Sequence, residues 1–300
     1  MGKILIAGGT GLIGSILSNY LASKGNEIFI LSRDKYDSEK YLSWDPSQKV
    51  LSPRCKNYQF DALINTCGAD LAEKRWTKQR RKLLLESRII PTDFLWDCIH
   101  QGKINTDCFI NFSAIGIYGN NPDPVNELDL PGKSSFLVDL VKKWENAFFK
   151  NSKKSIRHSV VRSGVVISKK GGFLDRFTSM ANMYVAPYFG KGNGYISWIH
   201  EEDLATSVHH IMETEQLQHV YNLTSPLPVT SKNFGKELKK TFNKNALLFP
   251  VPKFVIKILY GKMHEAILTN SQVLPLNLEE EGFKFKYENI SEALQRVKES

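Results

Sequence analysis

Residues 3–14 read KILIAGGTGLIG, and this stretch decides the fold. Lys3 to Ala7 is an apolar run of strand length. Ile13, Leu17, Tyr20 and Leu21 then recur at helical spacing, and Gly25 stands where such a helix would stop. Between strand and helix lie Gly8, Gly11 and Gly14. In a strand–turn–helix unit the first glycine permits a tight turn, the second lets backbone approach a pyrophosphate, and the third allows the helix to pack closely on the strand. The N–H groups at the helix start attract phosphate. The spacing Gly-x-x-Gly-x-x-Gly differs from the commoner GxGxxG, so the assignment leans on the strands and helices beyond Gly25.

After Gly25, EIFILSR (27–33) reads as a second strand, whose end should face an adenosine ribose about 20 residues past the fingerprint. An Asp or Glu there would bond a 2′-hydroxyl. Ser32 and Arg33 stand there instead, and a guanidinium pairs bidentately with a 2′-phosphate, which favours NADP over NAD. Asp34, the next residue, is the alternative ribose ligand. A third strand at 61–65 ends in INTCG, where small residues leave room for a cofactor, and a fourth at 108–112 runs into SAIGIYG. Helical stretches at 11–24, 76–99 and 136–150 alternate with these strands, which predicts an α/β fold with a doubly wound parallel sheet. Residues 1–165 are read as the NADP-binding Rossmann domain, with its sheet completed near 219–224. Residues 166–300 are read as a smaller, sequence-interleaved substrate lobe that includes an extension at 249–300.

The chain has 300 residues, 42% hydrophobic and 24% charged, which excludes collagen-like and disordered classes. No stretch approaches the roughly 18 uninterrupted apolar residues of a membrane span, and MGKILIAGG is too short for a signal-peptide core, so no membrane partner is expected. Cys55, Cys67, Cys98 and Cys108 form no CxxC pair and are too few for a disulfide framework. That usage fits reduced thiols in a cytoplasm and supplies no metal site. The one compositional oddity is a net charge of +9, with Lys74, Arg75, Lys78, Arg80, Arg81 and Lys82 crowded into nine residues. No nucleic-acid-reading motif accompanies them, so a solvated helix face is the better reading.

Together the stretches GGTGLIG, LSR, WDP, INTCGADLAEKRWTKQRR, ESRI, SAIGIYG, KKWENA, VVRSGVVIS, GNGYISWIHEEDLA, VYNLTSPLPVT and EEEGFKFKY resemble the extended and atypical branches of the short-chain dehydrogenase/reductase superfamily. More specifically, the chain resembles the epimerase-like branch with a C-terminal extension, labelled "epimerase family protein". The resemblance implies cofactor contacts at Gly8, Thr10, Gly11, Leu12 and Ile13, at Ser32 and Arg33, and at Thr66 and Cys67. It also places Arg88 where extended members carry an Asn near the cofactor, and sets RSGVV, from Arg162, beside the nicotinamide.

The superfamily moves its proton with a Tyr whose pKa is lowered by a Lys four residues on, helped by a Ser. On the corresponding helix this chain shows Phe136 at the Tyr position and Leu140 at the Lys position, and neither can move a proton. Two YxxxK strings, Tyr20 with Lys24 and Tyr36 with Lys40, fall on the wrong elements. Ser113, at the superfamily's serine position, and Tyr118 are the remaining catalytic expectations. In WIHEEDLA, Asp203 is expected to cap a helix and His200 to pack. The leading function is an NADP-dependent, epimerase-like oxidoreductase of a small molecule. The alternative is a non-catalytic NADP-binding protein that reports redox state.

Overall fold

The computed structural model describes residues 2–34 and 38–299. Eight strands form one sheet: β1 (Lys3–Ala7), β2 (Glu27–Ser32), β3 (Tyr41–Asp45), β4 (Val50–Leu51), β5 (Ala62–Asn65), β6 (Cys108–Ala114), β7 (Arg157–Ser163) and β8 (Val220–Leu223). Their spatial order is β8-β7-β6-β5-β1-β2-β3-β4. All neighbours pair in parallel except β3 with β4, which are antiparallel. β1 is central, with Ile4 opposite Ile28 on one side and Ala62 on the other. The chain runs outward from β1 to β4 and then crosses to β5.

The main helices are α1 (Leu12–Ser23), α2 (Lys78–His100), α3 (Phe136–Lys150), α4 (Phe173–Asn182), α5 (Glu201–Glu213), α6 (Ser231–Phe242), α7 (Lys253–Tyr260) and α8 (Ile290–Glu299). Strand alternation sorts them onto the two sheet faces. Ile4 and Ile6 pack with Ile16, Leu17 and Leu21 of α1 and with Leu204, Val208 and Ile211 of α5. Leu5 and Ala7 face the opposite way, into Phe94, Leu95 and Trp96 of α2 and Phe148 of α3. Helices α2 and α3 start where Thr77 and Ser135 accept backbone N–H bonds from Arg80 (3.1 Å) and Val138 (3.3 Å). A further apolar core joins Phe177 of α4, Phe234 and Leu238 of α6, and Leu294 and Val297 of α8.

Two differences from the sequence expectation concern local structure. The short strands β3 and β4 come between the second and third expected strands; their pattern is weak because β3 alternates buried Leu42 and Trp44 with Ser43 and Asp45 over only five residues. At α5 His200 packs as expected, buried with its ring centre 4.1 Å from that of Tyr287, but it also takes the capping role expected of Asp203. His200 is the cap, its Nδ1 accepting from the Glu202 N–H at 3.1 Å. Asp203 is buried and accepts instead from the Lys286 and Tyr287 N–H groups, each at 2.9 Å, tying the last 20 residues to the fold.

Candidate functional site

Because the chain leaves β1 on one side and returns to β5 on the other, the carboxyl ends of these two strands border the crevice where doubly wound sheets bind ligands. The glycine turn fills that position. Gly8 has φ +78°, and a Cβ there would stand 2.7 Å from Thr66 Oγ1. A Cβ on Gly14 would run into the Gly8 carbonyl oxygen and come within 2.6 Å of Gly9 Cα, so only glycine lets α1 sit this close to β1. The Gly11 N–H donates to Gly8 O at 3.0 Å. Gly11 then caps α1 without a side chain, and the first turn carries no acidic residue. The N–H groups of that turn have no intrahelical partner, and no acidic side chain in the turn offsets the positive end of the helix dipole. Thr10 and Gly11 are exposed, and Leu12 and Ile13 half-buried.

At the end of β2, Ser32 is buried and its Oγ accepts from the Asp34 N–H at 3.1 Å, while Arg33 is exposed and donates no hydrogen bond among the described residues. Its charge reaches both Asp45, whose carboxyl is held low chiefly by the Ser47 hydroxyl, and Cys67 across the crevice. Thr66 Oγ1 donates to Ala7 O at 2.9 Å, and the Cys67 N–H donates to Asn65 Oδ1 at 3.1 Å. Burial pushes the Cys67 thiol up to about 12, so it stays protonated. Below this wall, Asn65 Nδ2 donates to Asn111 Oδ1 (2.7 Å) and to Thr92 Oγ1 (3.2 Å), which locks the ends of β5 and β6 to α2. Arg88 is buried beside Gly68, with its guanidinium 5.1 Å from the Trp144 ring centre. Its Nη1 donates to Leu84 O, its Nε has no partner among the described residues, and burial lowers its pKa to about 10, so it is charged at neutral pH.

Beside the crevice lies a cavity of about 270 Å³ walled by Leu71 and Ala72, Ala114 to Gly116, Leu137, Ser163 to Val165, Tyr195 to Ser197, and Met263, Ala266 and Ser271. Among its lining residues only Tyr195 carries an ionisable side chain. The loop at 171–172 closes toward the glycine turn, since a Cβ on Gly172 would meet Leu12 Cδ2 at 2.9 Å.

Ser113 and Tyr118 are not on this wall. The strand pleat turns Ala114 to the cavity and Ser113 to α3, where its Oγ donates to Glu145 Oε1 at 2.7 Å. Glu145 also takes a bidentate pair from Arg162, Nε at 2.8 Å and Nη2 at 2.8 Å, and both residues are buried. Arg162 Nη1 donates to the Tyr118 hydroxyl at 2.8 Å, and that hydroxyl donates to Asn222 Oδ1 at 3.0 Å. Burial would depress the Arg162 pKa, but the bonds and charge of Glu145 outweigh it and hold Arg162 above its ordinary value. Burial pushes the Tyr118 phenol up, so it keeps its proton. Both expected catalytic hydroxyls are thus taken up by a buried ion pair, which the sequence showed only as the unconnected strings WENA and VVRSG.

On α3 the cavity is met one residue past Phe136. Leu137, not Phe136, faces the cavity, pressed on Gly116, and one turn later stands fully buried Val141. Phe136 packs on Trp76, with ring centres 5.0 Å apart. Of the two YxxxK strings, Tyr20 lies on α1 against the core, and Tyr36 is outside the described residues. The described residues contain no cluster of three metal-ligating side chains.

Comparison with known proteins gives the family and the fold. The model of the NAD dependent epimerase/dehydratase family matches residues 4–224, and a domain of unknown function, DUF1731, matches 251–297. An epimerase family protein of Mycobacterium bovis is 31% identical over 292 residues, covering 97% of this chain and 96% of that one. One of Staphylococcus aureus strain MRSA252 is 30% identical over 299 residues, covering 98% of both. The solved human epimerase family protein SDR39U1 (isoform 2), a complex with NADPH, superposes with a TM-score of 0.88 at 25% identity over 99% of both chains. UDP-N-acetylglucosamine 4-epimerase from Bacillus cereus, at 19% identity, shares the fold with a TM-score of 0.77 over 99% of this chain and 98% of that one. The chain belongs to the NAD dependent epimerase/dehydratase family.

Proposed function

We propose that the chain is an NADP(H)-dependent oxidoreductase acting on a small, uncharged and largely apolar carbonyl compound or alcohol. The observation that carries this reading is the adjacency of a tight glycine turn, leading into a helix start with no acidic residue, and a cavity with apolar walls. In this reading residues 1–165 hold the dinucleotide and 166–300 shape the substrate side, apart from β8. The Gly8–Gly11 turn and the start of α1, with Thr10, Leu12 and Ile13, hold the pyrophosphate. Arg33, beside Ser32, grips the 2′-phosphate, Thr66 and Cys67 floor the crevice, and Arg88 adds positive charge from below. The bound dinucleotide supplies or accepts a hydride at its nicotinamide ring. The NADPH in the human relative supports the same preference.

The chain's own part in the chemistry is positioning and proton handling. Tyr195, the one ionisable group on the wall, and Ser163 orient the substrate oxygen, and Tyr195 passes it a proton. Ser113 and Tyr118 act at one remove. By gripping Glu145 and Arg162 they fix the strand ends that present Ala114 and Ser163. The lining includes no lysine or arginine to meet a diphosphate, so a nucleotide-sugar substrate such as that of the Bacillus cereus neighbour is not favoured.

One observation favours the second reading, a cofactor-binding sensor without turnover: where α3 meets the cavity it presents Leu137, which cannot move a proton. Turnover separates the two. NADPH oxidation with a panel of apolar aldehydes, ketones and quinones should be substrate-dependent and fall at least about tenfold in Tyr195→Phe. NADPH binding without oxidation by any of them would assign the sensor role, and no NADPH binding at all would remove both readings.

A further inference from the structure

Helix α7, with the sequence KFVIKILY, is apolar on almost every side, and helices of that kind are normally buried. Here only Ile256 is buried. Phe254 is 65% exposed, Ile258 67% and Leu259 54%. Phe254 and Ile258 are four residues apart and share one face, with Leu259 next to it. Lys253 and Lys257 border this face, and Lys262 follows two residues beyond the helix; all three lysines are exposed. From Lys244 to Met263 the chain holds four lysines and no acidic residue. The end of the helix is also tied to the fold by a side chain. Arg75 donates from Nε to Leu259 O and from Nη2 to Ile258 O, each at 2.7 Å. These are carbonyls of the last helical turn, which have no partner within the helix.

We infer that α7 is a docking element for an anionic lipid surface. Phe254, Ile258 and Leu259 enter the acyl boundary, and Lys253, Lys257 and Lys262 meet lipid phosphates. Exposed apolar side chains alone would fit many partners; what selects a membrane is that every charged residue from Lys244 to Met263 is positive. The sequence expectation of no membrane partner rested on the lack of a spanning segment, and a helix lying in the interface needs none. Met263 and Ala266, directly after α7, line the cavity, as do Leu71 and Ala72 just before Arg75. The docked face therefore adjoins the cavity.

The test is flotation of the full chain with phosphatidylcholine vesicles containing roughly one-third phosphatidylserine, and with pure phosphatidylcholine vesicles. The protein should float with the anionic vesicles, less so as salt rises, and only weakly with the neutral ones. Phe254→Ser with Ile258→Ser should lower partitioning about tenfold or more, and Lys253→Gln with Lys257→Gln and Lys262→Gln should lower it about tenfold on anionic vesicles alone. Unchanged thermal melting shows that these surface variants fold. Failure of the unaltered chain to float would overturn the proposal, as would equal binding by both variants. It would equally be overturned by a dimer in sedimentation that the Phe254/Ile258 variant dissolves while vesicles bind neither protein, since the face would then belong to a second copy.

Discussion

Arg33 and His200 show how a single side chain sets a measurable property. Arg33 is exposed at the end of β2 with no hydrogen bond among the described residues, so Arg33→Ala should leave stability nearly unchanged. It should weaken NADPH binding at least about tenfold and leave NADH binding within about twofold, as read by fluorescence titration. His200 carries a pH signature. Burial lowers its pKa from 6.5 to about 4, opposed by Glu202 and reinforced by Arg296 and Lys286. Above pH 6.5 the ring is neutral both folded and unfolded. As pH falls the unfolded chain binds the proton first, so stability is lost between about pH 6.5 and 4, by up to ~3 kcal/mol. His200→Asn, which can still cap α5, should flatten that part of the pH profile in denaturant titrations. The fingerprint glycines were legible because a turn is specified by adjacent residues. The role of Asp203 was not, because it depends on backbone N–H groups more than 80 residues away.

For strands and helices, what the sequence conceals is phase. Reading β6 as ending at Phe112 left the pleat undecided where it matters, and the choice between Ser113 and Ala114 as cavity wall depends on it. On α3 the same uncertainty amounts to one position: Phe136 and Leu137 are both apolar, and only contact with Gly116 selects Leu137. The Glu145–Arg162 pair that binds α3 to β7 should respond as buried ion pairs do. Arg162→Met leaves a carboxylate unpaired and should cost about 3–5 kcal/mol in urea unfolding. Adding Glu145→Leu should return most of that loss, because Ser113 and Tyr118 then lose only hydrogen-bond partners. If the double variant is as unstable as the single, the pair supplies more than charge compensation.

The molecule as a whole depends on its last 50 residues. Leu294 is fully buried in the core it shares with α4 and α6, and Asp203 of α5 holds residues 286 and 287 by their backbone. Leu294→Ala should therefore cost about 2–5 kcal/mol in one cooperative transition. A separate early transition for the carboxyl-terminal part would show that it folds as its own unit. The parallel sheet was legible from strands alternating with helices, whereas this dependence was not, since α8 meets its partners only through contacts distant in sequence.

The strand order β8-β7-β6-β5-β1-β2-β3-β4 also bears on synthesis. Of these strands β1 is made first, and it ends at the centre. β2, β3 and β4 extend one side of it; β5, β6, β7 and β8 extend the other in the order they are made. Each new strand adds to an open edge, and none has to be inserted between two that are already paired. Translation can therefore build this sheet by accretion alone, with the ledge beside β1 waiting unpaired until residues 62–65 emerge.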